Sequence, residues 1–266
     1  MKKLFIILAA VAMVFVSCKK DKKDNPVNPN PTPNIAEQIV GKWLYIEYDG
    51  VMEETHTSSI TTFVMEGSTL KAYTSISQQE YDLWAYNYPT DVLVEGNNLT
   101  LTMEKDDITT IEVFTNITVS GDDLRYTSNY KVLRDGEVID EMGPYQLRCV
   151  KVNVDHADAI VGTWEAQVTD GENQQTWRWN FDADGTYVFS LKNGDNPWHV
   201  YEDEMSEYFV DGTLLCTRWQ HTASSDEERD LWIIESIQNN TMKWTAVRVD
   251  ETGQPFTDTL ELTKVF

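Results

Sequence analysis

The chain is poor in the residues on which most catalytic and metal sites depend. Its 266 residues include 3 cysteines and 4 histidines. The histidines, His56, His156, His199 and His221, do not have the spacing of a zinc pair. The sequence contains no G-x-S-x-G elbow and no Gly-rich phosphate loop. Carboxylates are plentiful, but Glu202-Asp203-Glu204 and the run 226–230 read as solvated loops. Nothing selects two of them as a pair across a cleft, as glycoside hydrolysis would need. Asp182-Ala183-Asp184-Gly185 opens like a calcium loop, yet the twelfth position is Asn193, where that loop needs a bidentate Glu. A hairpin turn accounts for the same residues. The expectation is a non-enzyme with no catalytic residues, no metal and no cofactor.

Positive charge is also scarce, with 21 Lys and Arg against 44 Asp and Glu and a net charge of −23. The deficit is spread along the chain: 8 basic against 20 acidic residues in 35–152, and 7 against 22 in 153–266. Such a surface repels phosphate backbones, which excludes nucleic acid as a partner.

Long apolar runs are missing except at the start. Leu4 to Val16 is a stretch of about a dozen residues, too short to span a bilayer and suited to a signal-peptide core after Lys2 and Lys3. "FVSC" (15–18) resembles the bacterial lipoprotein signal, in which a small residue precedes a lipidated cysteine. The resemblance implies a signal peptide over 1–17, acyl chains such as palmitate on Cys18, and a protein anchored to a membrane without spanning it. No Asp follows Cys18, which by analogy with other bacterial lipoproteins favours the outer membrane; the leaflet stays open. Residues 18–34 end in "DNPVNPNPTPN", whose prolines favour an extended tether at about 3.1 Å per residue. Cys149 and Cys216 fall in different halves, each in an apolar strand, and read as two buried thiols in preference to a disulfide.

What the chain does have is alternation. Trp177, Trp179 and Phe181 share one face of "WRWNF". Tyr187, Phe189 and Leu191 share a face of "TYVFSL", and Met242, Trp244 and Ala246 one of "MKWTAV". This is the period of half-buried strands, separated by Asp-Gly, Glu-Gly and Gly-Asp turns. Helical signals are confined to "NIAEQIV" (34–40) and "DHADAIV" (155–161). The chain also repeats itself. "IVGKW" (39–43) returns as "IVGTW" (160–164), "VEGNNL" (94–99) as "VDGTLL" (210–215), and the order of the matching segments is kept. Two units follow, 35–152 and 153–266, each an all-β antiparallel up-and-down barrel of about eight strands.

Gly41-x-Trp43 and Gly162-x-Trp164, each heading a strand-rich unit, look like the G-x-W signature of lipocalins and lipocalin-like proteins. The resemblance implies that each Trp closes a barrel floor under a basic residue of the last strand, Arg148 in the first unit and Lys264 in the second. A buried Trp removes 150–250 Å² from water, about 4–6 kcal/mol of gross burial at about 25 cal/mol per Å².

Seven of the nine tryptophans lie in the second unit. If the alternating face is the barrel interior, Trp177, Trp179, Phe181, Tyr187, Phe189 and Trp244, with Arg248 on the face of Trp244, suit a small apolar or amphipathic ligand. The same residues could instead fill a solid core, leaving a scaffold or interaction module of an envelope or surface-uptake complex. Trp198, after Pro197 in an acidic loop, is the candidate for contact with an envelope protein.

Overall fold

The computed structural model describes residues 34–265, apart from 80–82, 86–88, 106 and 171–172. The signal segment, Cys18 and the tether lie outside the described residues. Among the described residues no helix is long and apolar enough to cross a membrane.

The chain begins with α1 (Ile35–Ile39), whose first turn is capped by the Asn34 carboxamide accepting from Glu37 N at 3.0 Å. The first half then runs β1 (Gly41–Tyr48), β2 (Val51–Met52), β3 (Ser59–Glu66), β4 (Thr69–Gln78), β5 (Leu83–Trp84), β6 (Pro89–Glu95), β7 (Asn98–Lys105), β8 (Ile108–Ser120), β9 (Asp123–Arg134) and β10 (Glu137–Val152). The second half runs β11 (Gly162–Asp170), β12 (Asn173–Phe181), β13 (Tyr187–Asn193), β14 (His199–Val200), β15 (Met205–Asp211), β16 (Leu214–Gln220), β17 (Glu228–Gln238), β18 (Thr241–Val249) and β19 (Pro255–Val265). "DHADAIV" makes a turn at 157–159 where a short helix is expected.

Every pairing is antiparallel. In the first half β1, β3, β4, β6, β7, β8, β9 and β10 follow one another around a barrel that closes by pairing β10 with β1. In the second half the sheet curls in the same strand order, with β19 against β11. Its remaining seam is joined more sparsely, through a bridge between Thr186 and Glu207 and bonds from Tyr201 N to Phe189 O and from Tyr208 N to Gly185 O.

The fourth strand of the meander is broken at the same place in both halves. In the first half β5 and β6 both pair with β4. In the second, β14 pairs with the far end of β13, and β15 meets only its start. Glu202-Asp203-Glu204 interrupts the second, because three consecutive acidic residues offer no apolar face to hold against the barrel wall.

The two sheets belong to one compact unit. Their outer faces share a core of Leu44, Ile60, Leu214, Cys216 and Leu231. At its edge Lys42 pairs with Asp155 at 3.2 Å and with Asp211, which also accepts from Ser75. The break in the first half's fourth strand serves this contact. Trp84 of β5 stands edge-on to Phe209 at 4.9 Å, with the guanidinium of Arg218 4.6 Å and that of Arg229 5.5 Å from its ring centre. Arg229 Nη1 also donates to Leu83 O at 2.6 Å. Trp84→Ala is therefore expected to cost about 1–2 kcal/mol and to separate the melting of the two halves, as differential scanning calorimetry would show by a second transition. Cys149 and Cys216 are both free, buried thiols.

Candidate functional site: two barrel interiors

The repeated phrase builds the floors. Trp43 and Trp164 are each about 1% exposed. The indole N–H of Trp43 donates to Ile39 O at 2.7 Å, and that of Trp164 to Ile160 O at 2.6 Å. Lys264 lies opposite Trp164 in the ladder and sets its ammonium 5.1 Å from the ring centre. Gly41 and Gly162 have φ of +134° and +124°, and a Cβ on Gly162 would stand 2.8 Å from Lys264 Cε. The glycine lets the lysine stem cross the strand to reach the ring.

In the first barrel that cation is Lys151, opposite Trp43 in the ladder and 5.4 Å from its ring centre. This corrects the assignment to Arg148. Arg148 pairs across the ladder with Glu47, beyond a bulge, and its guanidinium is held by Asp123 at 2.5 Å and Glu47 at 3.2 Å. Short-motif alignment of the chain ends misplaced the residue by three positions.

Above the second floor, rings fill the lower interior. Phe181 and Trp244 are essentially fully buried, and Trp244 lies 5.1 Å from Trp179, 6.0 Å from Phe181 and 5.8 Å from Trp232. The indole N–H of Trp244 is buried with no hydrogen-bond partner. Higher up the rings are only half-buried. Trp177, Trp179 and Phe189 pack mutually at 5.1–6.0 Å, and Tyr201 adds to the wall 5.4 Å from Phe189. This ring wall stands beside the broken fourth strand, where a groove of about 430 Å³ is lined by Tyr187, Val188, Tyr201, Asp203 and Met205.

Polar groups gather above the rings. Arg248 Nη2 meets Asp230 Oδ1 at 2.7 Å while its guanidinium lies 4.7 Å from the Trp232 ring centre, and Trp232 Nε1 donates to Asp230 Oδ2 at 2.7 Å. Burial pushes the Asp230 carboxyl up, opposed by Arg248. Asp203 Oδ1 accepts from His221 Nδ1 at 2.6 Å. Burial, with the nearby carboxylates of Asp203 and Asp230, pushes the Tyr187 phenol up. The sequence-derived candidates in this half thus divide by height: Phe181, Tyr187 and Trp244 pack the core, while Trp177, Trp179, Phe189 and Arg248 stay partly accessible. Trp198 is not a free aromatic, since Arg178 lies 3.7 Å and Lys192 5.1 Å from its ring centre.

The first barrel holds a polar group that the sequence reading missed. Glu112 of β8 is 6% exposed and faces inward, two residues before Phe114 of the core. Ser128 Oγ donates to its Oε1 at 2.6 Å, and Tyr130, opposite it in the ladder, supplies a second hydrogen bond. Burial raises the carboxyl to about 7, against the pull of those two donors. The signal was available in "ITTIEVF": a Glu on the same period-two face as Phe114 is a carboxylate aimed at a core.

No protein-family model and no curated protein matches the chain. Among solved structures, a DUF3598-family protein of unknown function from Nostoc punctiforme is 12% identical, with 87% of this chain and 98% of that one covered and a TM-score of 0.25. A candidate AttH from Nitrosomonas europaea is 12% identical, with 90% and 99% covered and a TM-score of 0.26. Likenesses at these scores carry no argument about ligand or activity.

Proposed function

We propose that this is a lipid-anchored envelope protein, held at the outer membrane through Cys18, that binds a small amphipathic ligand in its second barrel without transforming it. The observation that carries the reading is the half-buried wall of Trp177, Trp179, Phe189 and Tyr201 beside the interrupted fourth strand. Apolar rings below and a few polar groups above, here Arg248, Asp230 and His221, are the usual composition of a small-molecule site. The broken strand supplies an entrance, because no continuous backbone ladder closes that seam. The close packing of Trp164, Phe181 and Trp244 lower down limits the ligand to the upper part of the barrel.

Titration with 1-anilinonaphthalene-8-sulfonate, an amphipathic fluorescent probe, tests the site. Binding by the intact protein is expected to weaken about tenfold in Trp177→Ala, equivalent to about 1.4 kcal/mol. Unchanged binding in that variant would place the probe elsewhere and remove support for the ring wall as a site.

A further inference from the structure

The two halves carry a carboxyl at the same place in the repeat, buried in the first (Glu112) and half-buried in the second (Asp230), and only the second has a cation beside it. Glu112 pairs with Leu101, the fourth residue of β7, and Asp230 pairs with Thr217, the fourth residue of β16. Two residues further on, Phe114 pairs with Leu99 and Trp232 with Leu215. The second half neutralises its carboxyl internally, with the guanidinium of Arg248 at 2.7 Å lying over the Trp232 ring. In the first half the neighbouring strand offers Glu112 the phenol of Tyr130, and no Lys or Arg among the described residues forms an ion pair with it.

The groups around Glu112 cannot supply the missing charge. Leu101 faces it from β7, and Ser128 and Tyr130 from β9. The titratable groups that feel its charge are Tyr126, Tyr130 and Cys149. Burial pushes all three up, Cys149 to about 12, so each is neutral at pH 7. A buried carboxylate without a partner is costly, and a structural role would be served by an apolar residue. Aromatic faces are at hand to receive an organic cation: Tyr126 is stacked on Phe114 with ring centres 4.0 Å apart, and Tyr45 packs against the same core.

We propose that the first barrel binds a small organic cation, an amine whose ammonium pairs with Glu112 beside the phenol of Tyr130. The ligand's charge takes the place that Arg248 fills in the second half. Binding draws Glu112 into its ionised form and releases a proton in acid solution.

Calorimetry on the full chain in detergent, with phenethylamine as cation and 2-phenylethanol as its neutral counterpart, tests this. Phenethylamine is expected to bind at pH 8 and to weaken by about tenfold per pH unit below pH 7, because the carboxyl must first give up its proton. 2-Phenylethanol is expected to bind at least tenfold more weakly at pH 8. Glu112→Gln is expected to lose the preference for the amine, while Trp177→Ala, which alters the second barrel's ring wall, leaves it intact. The proposal is overturned if the amine does not bind, if the alcohol binds equally, or if Glu112→Gln keeps the preference. The comparison of amine with alcohol in the unaltered protein needs no variant to fold.

Discussion

Trp164→Ala is expected to destabilise the second half by about 3–5 kcal/mol, the range for emptying a buried aromatic site. Three separate losses combine. The ring is about 1% exposed within the second core, so its removal leaves a cavity that the strands cannot close. Its N–H satisfies Ile160 O at 2.6 Å, an acceptor just before the first strand. Its face also carries the Lys264 ammonium, 5.1 Å from the ring centre. A shift in thermal midpoint of roughly 10 °C follows for a cooperative unit of this size. A shift of less than a few degrees would show that the floor is not what holds the sheet curled. Gly162→Ala should act in the same direction, because φ is +124° and the added carbon meets the Lys264 stem at 2.8 Å.

Glu112→Gln is expected to do the opposite at neutral pH. The wild-type carboxyl is raised from 4.5 to about 7 by burial. The folded state therefore favours the neutral acid. The stability this provides is complete below about pH 4.5, falls between that value and about 7 as the unfolded chain ionises first, and is flat above. At roughly 1.36 kcal/mol per unit the fall amounts to about 3 kcal/mol. Gln keeps an acceptor for Ser128 and has no charge to bury, so the variant should match wild type near pH 4.5 and exceed it by about 3 kcal/mol at pH 8. Urea unfolding at the two pH values checks this. Parallel pH profiles for the two proteins would mean that Glu112 is ionised and compensated in the folded barrel.

The all-β, antiparallel architecture was legible because each sheet must curl and close with the same kinds of residue. Gly41 and Trp43 recur as Gly162 and Trp164, and period-two alternation marks most strands on either side. Arg148 was misread because a ladder register cannot be taken from a short motif when one final strand is longer. Lys151, three residues on, is opposite Trp43. The docking of Trp84 between Arg218, Arg229 and Phe209 was hidden for a different reason. Its partners are more than a hundred residues away and lie on an outer face whose burial depends on the other barrel. Alternation says that a face is apolar and does not say which neighbour covers it. Glu112 escaped notice because acidic residues are so common in this chain that one on an inward face does not stand out.

Native mass spectrometry of residues 35–266, produced in a bacterial periplasm and incubated with an envelope extract, tests ligand binding most directly. The expected spectrum shows a small molecule carried by the folded protein, released on denaturation, and lost from a Trp177→Ala, Trp179→Ala double variant that still folds. A bare protein mass under the same conditions would contradict the binding role and leave two filled barrels without a cargo.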